Sequence, residues 1–191
     1  MNRIVLESLV QRFSTSEQSL GRLALRTNPL KGLELSPFGK FSGDIEQFYS
    51  QLEIDRHTMI GGDFSLQLFS LEELEGAQSG WSGSNDEGLL WRERFVVFAD
   101  RNGDALVFES AQENPFVYGS IQQRSFYIAQ SMTVFLQALL AGIEIEEDEF
   151  CMDTREEDME FKKSFIDRVQ SRVSAMEPDL STKGFMRFFF E

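Results

Sequence analysis

Residues able to do chemistry are few in this chain. His57 is the only histidine and Cys151 the only cysteine among 191 residues. A Ser-His-Asp or Cys-His arrangement would therefore have to use His57. That residue sits in IDRHTM, a polar connector, and no G-x-S-x-G nucleophile motif occurs anywhere. It reads as an exposed loop histidine. One cysteine permits neither an intrachain disulfide nor a zinc-binding Cys cluster, and one histidine cannot build a poly-His metal site. Asp100, Asn102 and Asp104 have the alternate spacing that opens a calcium loop, but Ala105 and Ala111 stand where that loop requires glycine and glutamate. The glycine-rich spots, Gly61-Gly62-Asp63 and Gly80-Trp81-Ser82-Gly83, match no phosphate-cradling pattern. No cofactor, metal or catalytic residue is assigned. Carboxylates remain: a small-molecule hydrolase using scattered acidic groups is the alternative, and it requires a deep pocket where such groups converge with perturbed pKa values.

The charge balance says more about partners than about reactions. Thirty-two acidic residues face 18 basic ones, a formal net charge of −14. Such a field repels phosphate backbones and anionic lipid, which disfavours direct nucleic-acid or membrane binding, and it steers a basic protein inward. Between Glu144 and Glu160 lie ten carboxylates and one basic residue, Arg155. This run is either a solvated connector whose like charges repel, or a surface that pairs with Lys and Arg on a partner. On the second reading Glu146, Glu147, Asp148 and Glu149 are candidate contacts. Trp81 joins them, because tryptophan is enriched in binding hot spots. It reads equally as a loop anchor packed on the core.

The elements that would position these residues follow from periodicity. Val5, Leu6, Leu9, Val10 and Phe13 share one face at helical spacing. LGRLALR is a helical turn or a strand, Asn28-Pro29 breaks the pattern, and residues 31–43 read as irregular. Asp44 is a helix cap for the apolar positions Ile45, Phe48, Tyr49 and Leu52. Phe64, Leu66 and Leu68 alternate with polar residues as in a strand buried on one face. Residues 76–88, rich in Gly and Ser, form a long loop. FVVFADRNGDALVFES is a β-hairpin, with Asn102 and Gly103 as its structural turn, since that pair accepts the positive φ angles of a type I′ turn. PFVYGSI and SFYIA supply further strands. Ser131 then caps a helix through Met132, Phe135, Leu136, Leu139 and Leu140 that ends at Gly142. Beyond the acidic run, Phe165, Val169 and Val173 mark a helix that Pro178 stops. The closing GFMRFFFE adds an edge strand, docks on the core, or lets Phe185 to Phe190 meet a second copy. The 19 phenylalanines point to a Phe-rich core.

The order of these signals from about residue 44 to 142 resembles the SUKH superfamily, which includes fungal cell-wall assembly regulators and bacterial immunity proteins. IEQFYSQL leads to a glycine turn and the strand–helix unit FSLQLFSLEEL. The hairpin with its Asn-Gly-Asp turn follows, then Val117-Tyr118-Gly119, then IAQSMTVFLQALL, similar to the family's closing helix. Gly103 corresponds to a turn residue and Phe135 and Leu136 to core residues. The usual Leu-Pro entry segment is missing before Ile45. The resemblance implies an α+β fold, a twisted and mostly antiparallel sheet with helices packed against it. It also implies action by protein binding without catalysis, as in immunity proteins that neutralise toxins, often nucleases, or in a related regulator. On this reading residues 1–143 form the SUKH-like domain, and 144–191 an acidic connector, a C-terminal helix and an apolar tail. With no apolar run near the roughly 20 residues a membrane helix needs and no signal-peptide pattern, a cytoplasmic location is expected.

Overall fold

The computed structural model describes residues 3–35, 38–81, 92, 94–110 and 112–191. Helix α1 (Arg3–Thr15) buries Val5, Leu6, Leu9 and Phe13, the face its spacing marks. Strand β1 (Leu23–Leu25) settles LGRLALR as extended. Two short strands, β2 (Glu34–Leu35) and β3 (Gly39–Lys40), pair within the stretch expected to be irregular. Helix α2 (Gly43–Gln51) leads into β4 (Leu52–Ile54), which pairs with β1. Strands β5 (Thr58–Ile60) and β6 (Leu66–Leu68) and helix α3 (Leu71–Ala77) follow. Of the expected 76–88 loop, residues 76 and 77 close α3 and residues 82–88 lie outside the described residues. Then come β7 (Phe95–Arg101), β8 (Asp104–Glu109), β9 (Val117–Ile121), β10 (Arg124–Ala129) and α4 (Met132–Glu144). A π-helical turn (Ile145–Glu149), α5 (Lys163–Ser174) and α6 (Thr182–Phe190) complete the α+β fold.

Six strands form one antiparallel sheet in the order β10-β9-β8-β7-β6-β5, a meander in which every neighbour in space is the neighbour in sequence. The β7–β8 turn has Asn102 at φ 55° and Gly103 at φ 89°, the positive angles that an Asn-Gly pair tolerates. Side chains alternate across the sheet with period two. Val96, Phe98, Leu106, Phe108 and Val117 face the main core, while Phe95, Val97, Ala105 and Val107 form a small cluster on the other face. Phe69, Trp81 and Tyr118 pack on that second cluster.

Residues 144–191 fold into the same core as the rest. Phe165, Val169, Val173, Phe185 and Phe189 belong to one buried cluster with Leu6, Phe64 and Phe135, so residue 143 is not a packing boundary. The tail is helical: Phe185, Phe188 and Phe189 recur at helical spacing, are buried within their own chain, and are not presented to a second copy. Edge pairing occurs just before it, where Ser181 N–H donates to Ile128 C=O at 2.7 Å and Gln130 N–H to Asp179 C=O at 2.9 Å.

Two local expectations are corrected. Helix α4 does not stop at Gly142. That glycine lies mid-helix because the Phe64 ring rests on it, so an added Cβ would meet the ring Cζ at 2.3 Å. Asp44 lies inside the first turn of α2 and caps a different helix: its Oδ2 accepts the Thr133 N–H at 3.0 Å at the start of α4. Ser131 is the N-cap of α4, as expected, and accepts from Val134 N–H.

Candidate partner-binding surface

The four candidate carboxylates all fall in the π-helical turn that prolongs α4, and all four are internally engaged, in three different directions. Glu146 is fully buried. Its Oε1 accepts the Asp63 N–H, while Oε2 has no hydrogen-bond partner. Loss of hydration pushes its carboxyl up to about 7 from an ordinary 4.5, and the charges of Asp63 and Glu147 push the same way. A surface contact through Glu146 is therefore corrected: the apolar face of the turn carries it inward with Ile145. Glu147 and Asp148 face α1. Arg12 reaches Glu147 at 3.2 Å and holds Asp148 through two bonds, at 3.0 and 2.6 Å, and Ser16 Oγ also donates to Glu147. Hydrogen bonding to Arg12 keeps the Asp148 carboxyl below its usual range. Glu149 turns the other way and takes a bidentate pair from Arg168 of α5, at 2.6 and 2.7 Å. The turn thus fastens α1 and α5 to the end of α4.

Beyond Asp153, which pairs with Lys162 at 2.5 Å, comes a second group of carboxylates. Residues 155–161 form a small hairpin closed by an antiparallel bridge between Arg155 and Phe161 and by Glu156 N–H donating to Glu160 C=O at 2.9 Å. Its tip is Glu156-Glu157-Asp158-Met159-Glu160, every residue exposed, with Met159 at φ 71° and 68% exposed. None of the four tip carboxylates has an ion-pair partner among the described residues. Arg155, the one basic residue in the acidic run, points inward. Its Nε donates to Asp63 Oδ1 at 2.7 Å, its Nη1 to Met159 C=O at 2.7 Å, and its guanidinium lies 3.9 Å from the Phe161 ring centre. Thr154, buried, donates to the other Asp63 oxygen. The result is a dense negative tip on a fixed base. Spacing alone does not separate these four carboxylates from Glu147, Asp148 and Glu149, because the arginines that pair with those three come from other helices, α1 and α5.

Trp81 is half-buried on the outer face of the sheet, against the Phe95–Val97–Ala105–Val107 cluster, so the anchor reading describes its position. An aromatic row continues across that face. Ring centres of Phe95 and Tyr118 lie 5.0 Å apart, Tyr118 and Tyr127 6.2 Å, and Tyr127 and Phe116 5.7 Å. Arg92 stacks 5.6 Å from both Phe95 and Tyr118 and pairs with Glu109 at 2.8 Å. Trp81 and the acidic turn are not brought together.

His57 is exposed and its backbone N–H donates to Glu73 at 3.3 Å. Among the described residues no group of three or more His, Cys, Asp or Glu is placed to hold a metal ion. Five surface depressions of about 250 to 680 Å³ are lined by other residues and not by Glu146. No described helix is long and apolar enough to cross a membrane. No family model, curated protein or solved structure matches this chain.

Proposed function

We propose that the chain is a non-enzymatic protein-binding module of SUKH type, an immunity-type protein that neutralises a basic toxin domain by direct binding in the cytoplasm. A related regulatory protein would use the same surface. The observation that carries this reading is the acidic hairpin tip, whose four unpaired carboxylates sit on a base that Arg155 and Asp63 hold in place. A nuclease that grips phosphates needs a basic surface, so it suits such a tip. Opposite fields raise the association rate, and a tip whose backbone is braced at its base gives up little backbone entropy on contact. The resemblance of residues 44–142 to SUKH proteins supports the same class. Catalysis by scattered carboxylates is less well served, because among the described residues the one acid with a strongly raised pKa is sealed from solvent.

The test is capture of the partner on the intact chain and on a variant with Glu156→Lys, Glu157→Lys and Asp158→Lys, followed by assay of the captured protein as a nuclease. The expected result is a basic protein whose activity falls in proportion to added chain up to equimolar, with the variant failing to inhibit. A partner of acidic or neutral charge, bound equally by both forms, would overturn the reading.

A further inference from the structure

A groove of about 610 Å³ runs between α5 and α6. One wall is Ile166, Gln170 and Ser174, and the other Thr182, Met186 and Phe190, each set spaced by fours along its helix. Eight residues of helix advance about 12 Å, so the groove is roughly two turns long. Its apolar lining is Ile166, Met186, Phe190 and Phe161. Its rim carries Glu160, Glu177 and Glu191 against the single Lys183. Phe161 closes the acidic hairpin, and its ring meets Phe190 at 5.2 Å, so the groove begins where the negative tip ends.

We infer that this groove seats the apolar face of a basic amphipathic helix on the partner, with the tip carboxylates engaging that helix's Lys and Arg residues. The inference deepens the protein-binding reading and rests on it. Three features favour this occupant: an apolar floor about two turns long matches anchors at i and i+4 of a helix, three rim carboxylates against one lysine select a basic segment, and the unpaired tip continues the same field. A hydrophobic segment flanked by acids would meet like charge on three sides.

The probe is a 14-residue amidated peptide of Lys and Leu with Leu at helical i, i+4 spacing, titrated into the isotope-labelled intact chain and followed by NMR. A second peptide carries Ser for each Leu at the same charge. Burial of one or two leucine side chains makes the first peptide bind at least about tenfold more tightly than the second. Its shift changes cover Ile166, Gln170, Met186 and Phe190. Gln170→Trp, at an exposed wall position, fills the groove and removes this preference while leaving the melting temperature unchanged. Glu160→Lys weakens both peptides. Equal affinity for the two peptides, or shifts confined to Glu156–Glu160, would overturn the groove while leaving the charge-based reading intact, since that reading stands or falls on capture by the tip-reversed variant. Absence of binding by either peptide would also overturn the groove.

Discussion

Arg155 and Asp63 are joined by a 2.7 Å hydrogen-bonded ion pair that takes the only positive charge of the acidic run out of the surface field. The same guanidinium reaches the carbonyl of Met159 in the hairpin tip. One side chain therefore both clears and braces the tip. Removing it should loosen the hairpin without touching any surface carboxylate.

Arg155→Gln is expected to destabilise the fold by about 2 kcal/mol, the scale of a lost charged hydrogen bond. Amide exchange at Glu156, whose N–H bonds Glu160, should accelerate by more than the global loss explains. Arg155→Lys should recover little of this, since a lysine ammonium lacks the planar fork that serves Asp63 and Met159 at once. Exchange at Glu156 as slow as in the parent chain would show that the brace is dispensable.

Glu146 gives the fold a pH dependence of definite sign. Its carboxyl titrates near 7 when folded, against 4.5 for an ordinary glutamate. Between those values the folded state holds more protons than the unfolded state, so stability falls as pH rises through the window. Above pH 7 the full cost, about 3 kcal/mol, is present; below about 4.5 it is gone. The groups facing this carboxyl are Asp63, itself paired with Arg155, and Glu147, paired with Arg12. Urea melts should show Glu146→Gln more stable than the parent at pH 8, with the advantage fading toward pH 5. An advantage independent of pH would mean that burial of this charge is not the cause.

Gly142→Ala sets two effects against each other. Alanine gains about 1 kcal/mol of helix propensity over glycine in a helix interior. Here, however, its methyl would lie 2.3 Å from Cζ of Phe64, a ring fully buried beside Phe185 and Phe189. Overpacking of that kind costs about 1–3 kcal/mol or more, and the packing term should win. A lower midpoint in denaturant with an unchanged slope is expected. A rise in midpoint would show that Phe64 moves aside freely.

Arg12 and Arg168 both hold carboxylates of the π-helical turn, but they should differ in value. Arg12 is 19% exposed and serves Glu147, which is 13% exposed, as well as Asp148. Arg168 and Glu149 are both 43% exposed. Surface pairs contribute little and are screened by salt. Arg12→Ala should lower stability by about 1–3 kcal/mol, the range for leaving a mostly buried charged acceptor unpaired. Arg168→Ala should have a smaller effect that vanishes in 1 M salt. Equal effects of the two would contradict this ranking.

Much of the fold could be read from local pattern, and the errors have a common cause. The hairpin at Asn102-Gly103, the buried stripe of α1 and the 165–169–173 spacing of α5 depend on neighbours within a few residues. Gly142 read as a helix end because glycine commonly is one. What keeps it inside α4 is a phenylalanine ring from the β5–β6 connection, which no local spacing displays. Asp44 was recognisable as a cap by residue type, but the helix it caps lies across the core. The acidic run posed the same difficulty. Glu147, Asp148 and Glu149 look as free as Glu156, Glu157 and Asp158 until Arg12 and Arg168 arrive from α1 and α5.

Partner association should depend both on the hairpin tip and on salt. Stopped-flow association rates for the intact chain with its captured basic partner should fall steeply between 50 and 500 mM salt. The Glu156→Lys, Glu157→Lys, Asp158→Lys variant should associate at least about tenfold more slowly at low salt, with most of the salt dependence gone. A rate insensitive to both salt and tip reversal would contradict the claim that the acidic hairpin receives the partner.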